Sequence, residues 1–161
     1  MSLPQSRHTL IVIPFKEPTS AKRRLAEFLS IEQRRTLAET LFEMNAEILK
    51  GLPSRPDLLV VTTGREIARR ARELGAAELT ELEEMGETAA VERAAIWAGD
   101  HGYDRMVVIP ADMAALDPED VEKLLAVDLP APSVVLAPAV GDDGTNAIMT
   151  SPPTALPFRF G

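Results

Sequence analysis

Apolar residues fall along this chain in two alternating textures. Short unbroken runs rich in β-branched residues recur at 10–14 (Leu-Ile-Val-Ile-Pro), 58–62 (Leu-Leu-Val-Val-Thr), 106–109 (Met-Val-Val-Ile) and 133–137 (Ser-Val-Val-Leu-Ala). The first three predict buried strands, the run at 106–109 on both faces, and 133–137 predicts a further strand. Weaker, shorter strands are predicted at 76–79 and 147–150. Between the runs the spacing turns helical. Residues 21–29 open a first helix, and Ser30 with Gln33 forms a capping box ahead of a long helix whose apolar face is Leu37, Leu41, Met44 and Ile48, ending near Gly51. Residues 65–74 predict a helix stopped by Gly75, and 88–101 another with Val91, Ala94, Ala95 and Ala98 inward, ending at Gly102. Asp117-Pro118-Glu119-Asp120 reads as a cap, a proline at the first helical position and acids favoured by the helix dipole, opening a helix to about Ala126. Strands alternating with helices predict an α/β three-layer sandwich with a mostly parallel central sheet.

The run at 106–109 is expected in the middle of that parallel sheet. Pro110, Ala111 and Asp112 follow it, and open α/β sheets bind ligands just past the carboxyl ends of their strands. Asp112 is therefore the first candidate metal ligand. A role as a cap is not needed, because the next helix has Asp117. Mg²⁺ is held by few carboxylates and several phosphate or water oxygens, so one or two aspartates suffice for a nucleotide-bound ion.

Composition narrows the chemistry. With 161 residues the chain reads as one domain, and its formal net charge of -8 argues against nucleic acid or an anionic membrane as partner. There are no cysteines, which excludes thiolate metal sites and a cysteine nucleophile and agrees with a reducing cytoplasm. No apolar run approaches a membrane span. Against this acidic background, Lys16, Lys22, Arg23 and Arg24 gather in the loop and first helical turn after the first strand. Cations there oppose the helix dipole unless an anion joins them. They form either a solvated charged turn or a polyphosphate site around Lys16, Lys22 and Arg24, without the glycines of a P-loop.

Asp142-Asp143-Gly144-Thr145-Asn146 is a hairpin-turn signal, and Thr145 and Asn146 could also donate to a phosphate or carboxylate. His8 and His101 read as surface residues, the acids of 81–87 as a solvated loop, and Trp97 as core or interface. No Gly-x-Ser-x-Gly elbow supports a serine hydrolase. Two aromatics at Phe158 and Phe160 close the chain with nothing after them to pack on. The expectation is that a further segment belongs to this domain, and that an exposed apolar end would favour a homodimer.

In combination these motifs resemble the 2-phospho-L-lactate guanylyltransferases of deazaflavin coenzyme F-420 biosynthesis, a branch of the GT-A-like (nucleotide-diphospho-sugar transferase, molybdopterin-guanylyltransferase-like) nucleotidyltransferases. The resemblance rests on Ile13-Pro14-Phe15-Lys16, Ala21-Lys22-Arg23-Arg24-Leu25, Leu29-Ser30, Val60-Val61-Thr62, Val108-Ile109-Pro110-Ala111-Asp112, Gly144-Thr145-Asn146-Ala147 and Pro157-Phe158-Arg159-Phe160-Gly161. It implies Mg²⁺-dependent joining of GMP from GTP to a phosphorylated three-carbon acid, which is 2-phospho-L-lactate, phosphoenolpyruvate or 3-phospho-D-glycerate, with release of pyrophosphate. On this chain it implies Lys22 and Asp112 as catalytic residues, with Asp112 on the metal. Pro14, Lys16, Lys22, Arg24, Gly86 and Thr88 would hold the nucleotide, and Thr145, Asn146 and Gly161 the acceptor. Where the family has Gly-x-x-Asn-x-Ala, this chain reads Gly86-Glu87-Thr88-Ala89-Ala90. A loop after Gly161 and a C-terminal segment with a second metal carboxylate are also expected from the family. Two other readings stand beside it. One is a superfamily relative acting on a sugar phosphate or a molybdopterin, which the glycine-free Phe15-Lys16-Glu17-Pro18 disfavours. The other is a nucleotide-binding protein without turnover.

Overall fold

The computed structural model describes residues 8–16, 25–81, 83, 85–141 and 144–160. The first apolar run becomes β1 (Thr9–Phe15), buried along its whole length. Around it the described residues form one sheet with β2 (Asp57–Thr62), β3 (Ala77–Thr80), β4 (Arg105–Val108), β5 (Ser133–Pro138) and β6 (Thr145–Ser151), in the order β3-β2-β1-β4-β6-β5. β3, β2, β1 and β4 run parallel, and β6 runs antiparallel to both β4 and β5. The helices are α1 (Ile31–Lys50), α2 (Arg65–Glu73), α3 (Glu87–Asp100) and α4 (Pro118–Ala126).

Because side chains alternate across a strand, β1 feeds two cores. Ile11, Ile13 and Phe15 meet Phe42 of α1, Ile67 of α2 and Val121 of α4 on one face. Leu10 and Val12 meet Val91, Ala94 and Ala98 of α3 on the other, where Phe158 of the terminal segment also packs. Three layers result, as expected. Among the described residues no helix is long and apolar enough to cross a membrane.

The differences from expectation are local. β4 borders a parallel and an antiparallel neighbour instead of lying between two parallel ones, because β6 returns through a hairpin that pairs it with β5 first. Thr145 and Asn146 belong to β6 rather than to a loop. Residues 21–24 lie outside the described residues, and 25–29 form a single turn, with Phe28 and Leu29 both donating to the Leu25 carbonyl, so the helix expected over 21–29 does not run to its end. The Ser30–Gln33 capping box is present, but the buried stripe of α1 is Ala38, Phe42, Asn45, Ala46 and Leu49. Its orientation follows the largest ring, since Phe42 meets Phe15 edge-on at 5.4 Å. That rotates Met44 to 53 % exposure.

The amino end of the sheet is tied by polar contacts. The Arg105 guanidinium donates to Thr9 Oγ1 at 2.6 Å and, at the end of α4, to Leu125 O at 2.6 Å and Val127 O at 3.0 Å. Glu122 Oε1 accepts from Ser54 N at 3.0 Å and Ser54 Oγ at 2.9 Å. Tyr103 donates to Asp57 Oδ2 at 2.9 Å, and His8 stacks on its ring at 5.0 Å. Trp97 and His101 stack at 3.8 Å, so both histidines are exposed as expected but engaged with aromatic rings.

Candidate active site

Successive crossovers carry β1 to β2 and β2 to β3 in one direction, whereas β4 lies on the other side of β1. The strand order therefore reverses between β1 and β4, and it is outside the carboxyl ends of the strands at such a switch point that α/β sheets bind ligands. Lys16 follows β1 and Asp112 lies just past β4. β6 is antiparallel to β4, with Ile148 opposite Val108, so its first residues, Thr145 and Asn146, reach this same end. Four of the sequence-derived candidates are thus brought together by topology alone.

On the β1 side, Pro14, Lys16, Thr63, Glu81, Gly86 and Glu87 line one groove. Gly86 precedes α3 with φ 92° and ψ 166°, a region that side-chain-bearing residues rarely adopt. It offers no side-chain cap, so the first amides of α3 are donors suited to an anion. Lys16 Nζ lies 3.9 Å from Glu87 Oε2, with both side chains substantially exposed. A pair so long and solvated is weak, and little holds the ammonium away from a more highly charged anion.

Glu81 departs from the solvated loop expected of it. Its backbone N–H bonds Thr62 O at 2.9 Å, prolonging the β2–β3 ladder, and its side chain is 6 % exposed, with Oε1 accepting from Arg93 at 3.2 Å. Glu87 opens α3 instead of lying in that loop. Thr88 stands in the first turn of α3, where its hydroxyl accepts from Phe160 N at 2.9 Å. It ties the helix to the terminal segment and is not one of the residues lining the groove.

On the β4 side Asp112 is exposed, in a turn whose flanking carbonyls are held by Asn45: Nδ2 donates to Ala111 O at 2.9 Å and to Met113 O at 3.0 Å. Asn45 and Glu81 were both missed by sequence reasoning. The available signal for Asn45 is a polar residue in register with Ala38, Phe42 and Leu49 on the buried stripe. Lys22, Arg24 and Gly161, with Asp142 and Asp143, lie outside the described residues.

Among the described residues no three acidic or histidine side chains converge into a metal cage. A cation at Asp112 would complete its shell with substrate oxygens and water, the manner in which Mg²⁺ is held. The donor set fits that ion.

The family described as guanylyl transferase CofC like matches residues 9–161. The chain is 42 % identical over 153 residues to a 3-phospho-D-glycerate guanylyltransferase from Colwellia psychrerythraea, covering 95 % of this chain and 72 % of that one. It is 37 % identical to a phosphoenolpyruvate guanylyltransferase from Rubrobacter xylanophilus, covering 93 % and 72 %, and 31 % identical to a 2-phospho-L-lactate guanylyltransferase from Methanothermobacter thermautotrophicus, covering 95 % and 66 %. In fold it is similar to a solved structure from Desulfovibrio desulfuricans G20 described as a nucleotide-diphospho-sugar transferase, with TM-score 0.75 at 22 % identity, covering 94 % of this chain and 66 % of that one. The chain belongs to the CofC-like guanylyltransferase family.

Proposed function

We propose that this guanylyltransferase joins the α-phosphoryl group of GTP to the phosphate of a phosphorylated three-carbon acid at the carboxyl ends of β1 and β4, in deazaflavin coenzyme biosynthesis. The observation that carries the reading is the gathering of Lys16, Gly86, Asp112, Thr145 and Asn146 at that one end of the sheet. The favoured acceptor is 3-phospho-D-glycerate, supported by the relative that shares 42 % identity, with phosphoenolpyruvate and 2-phospho-L-lactate as its competitors.

An oxygen of the acceptor phosphate attacks the α-phosphorus of GTP, and the bond from that phosphorus to the β-phosphate bridging oxygen breaks. The bonding pair leaves with pyrophosphate. A phosphate is already ionised near neutral pH, so no side chain need remove a proton, which agrees with both histidines lying among aromatic rings at the far end. The work left to the chain is positioning and charge neutralisation. Lys16 and the first amides of α3 would bind the phosphates, joined by Lys22 and Arg24. Thr145 and Asn146 would orient the acceptor. Asp112 would hold Mg²⁺, which when bound to the phosphates neutralises charge on the transferring group.

Pyrophosphate release tests this, measured on the folded protein with Mg²⁺ and GTP, each of the three acids being offered in turn. Release with 3-phospho-D-glycerate is expected. Release with another of the three alone would change the acceptor, and none with any would overturn the reading.

A further inference from the structure

Asn45 occupies the buried stripe of α1 between Phe42 and Leu49 and is 3 % exposed. Packing at such a position favours an apolar side chain, and a buried amide is tolerated only when hydrogen-bonded. Its amide donates to one short stretch, the carbonyls of Ala111 and Met113, at 2.9 and 3.0 Å. Two carbonyl acceptors also fix the amide's orientation, since only its NH₂ group can serve both. The residue between those carbonyls is Asp112.

This arrangement supplies what the strand does not. The pairing of β4 with β1 ends where Ile109 N donates to Val12 O, so residues 111–113 lie beyond the ladder. A helix of 20 residues, closed at its start by a capping box, is a rigid mount. Pinning the Ala111–Asp112 peptide and, one residue further on, the Met113 carbonyl restricts the backbone that carries Asp112 while leaving its carboxylate exposed.

We propose that Asn45 is a positioning residue for the transfer: by clamping the Ala111 and Met113 carbonyls it holds the Asp112 carboxylate in the direction that a nucleotide-bound divalent cation requires. The inference rests on the reading of Asp112 as the ligand of that cation. Metal sites depend on such outer contacts, whose loss typically weakens metal affinity by about tenfold to a hundredfold.

The test uses Mn²⁺ as a paramagnetic stand-in, titrated into protein with GTP and no acceptor acid and followed by electron paramagnetic resonance. Wild type is compared with Asn45→Leu, Asn45→Ala and Asp112→Asn. Expected is a loss of about tenfold in Mn²⁺ affinity in both Asn45 variants and a larger loss in Asp112→Asn, with GTP binding in chelator unchanged throughout. Raising Mg²⁺ should restore kcat in the Asn45 variants and not in Asp112→Asn. Wild-type Mn²⁺ affinity in the Asn45 variants beside a weakened Asp112→Asn would overturn the positioning role alone. Unchanged affinity in Asp112→Asn would overturn the site reading beneath it. Loss of cooperative melting in both Asn45 variants would assign the residue to stability and overturn the proposal as well.

Discussion

The two ends of the sheet use their polar residues in opposite ways. The amino end has the more spacious hollow, walled by His8, Arg55, Asp57, Arg105, Glu122 and Leu125, yet Asp57, Arg105 and Glu122 are turned on neighbouring side chains and on the backbone. Arg105 closes the end of α4, Glu122 holds Ser54, and Asp57 accepts from Tyr103. The carboxyl end has a tighter groove, but its charges are presented: Lys16 in a long, solvated pair, Gly86 with no side-chain cap, and Asp112 exposed on a clamped turn. A hollow in which three of the charged walls are already bonded offers a ligand less than a small one whose charges are presented. The chemistry of the lining, not the volume, is the ground on which the carboxyl end is proposed as the site.

Substitutions at the carboxyl end should therefore cost activity and leave the fold alone. The largest effect is expected from Asp112→Asn, which keeps the shape and removes the charge. Turnover in the pyrophosphate assay should fall on the order of a hundredfold or more with an unaltered melting transition, and unchanged turnover would erase the difference between the two ends. Lys16→Ala should follow. Losing one charge-assisted contact to phosphate costs about 1.5–3 kcal/mol, so kcat/KM for GTP should drop by roughly tenfold to a hundredfold. A drop confined to the acceptor's KM would move Lys16 to the other half of the site.

At the amino end the same kind of change should do the reverse. Arg105→Met leaves Leu125 O and Val127 O without their guanidinium donor, at a cost of about 1–3 kcal/mol in unfolding free energy. Denaturant unfolding should register that loss while kcat and KM hold. A variant that melts normally but turns over slowly would mean that the amino end belongs to the chemistry after all.

The same division explains what could be read from the chain. β1, β2 and β4 were legible because a strand buried on both faces excludes polar residues, and the helix ends because Ser30, Asp117, Gly75 and Gly102 serve needs a few residues away. The place of Asp112 at the carboxyl end of the sheet was legible because it comes soon after such a strand. What escaped depends on partners distant in sequence. Nothing local to Asn45 announces that its amide will meet carbonyls at 111 and 113. An acid in a run of acids gives no sign that Glu81 will be buried against Arg93. The stripe of α1 was misjudged for a similar reason, since which of several apolar rows faces inward is set by the ring of Phe15 across the core.

The smallest predicted effect probes the amino end through the chain's single tyrosine. Burial, aided by the hydrogen bond and negative charge of Asp57, pushes the Tyr103 hydroxyl up from 10 to about 12. A group whose proton is held more tightly folded than unfolded contributes stability that is complete below the unfolded value. That contribution is lost as the pH rises through the folded one. Wild type should thus lose stability between about pH 10 and 12, and Tyr103→Phe should lose less over the same interval. Because no other tyrosine contributes, phenolate absorbance reads the ionisation directly. Ionisation at the ordinary value near 10 in the folded protein would mean that Tyr103 is neither buried nor bonded as drawn. The amino end would then be as open as the other, and the presented charges of the carboxyl end would have to distinguish the site unaided.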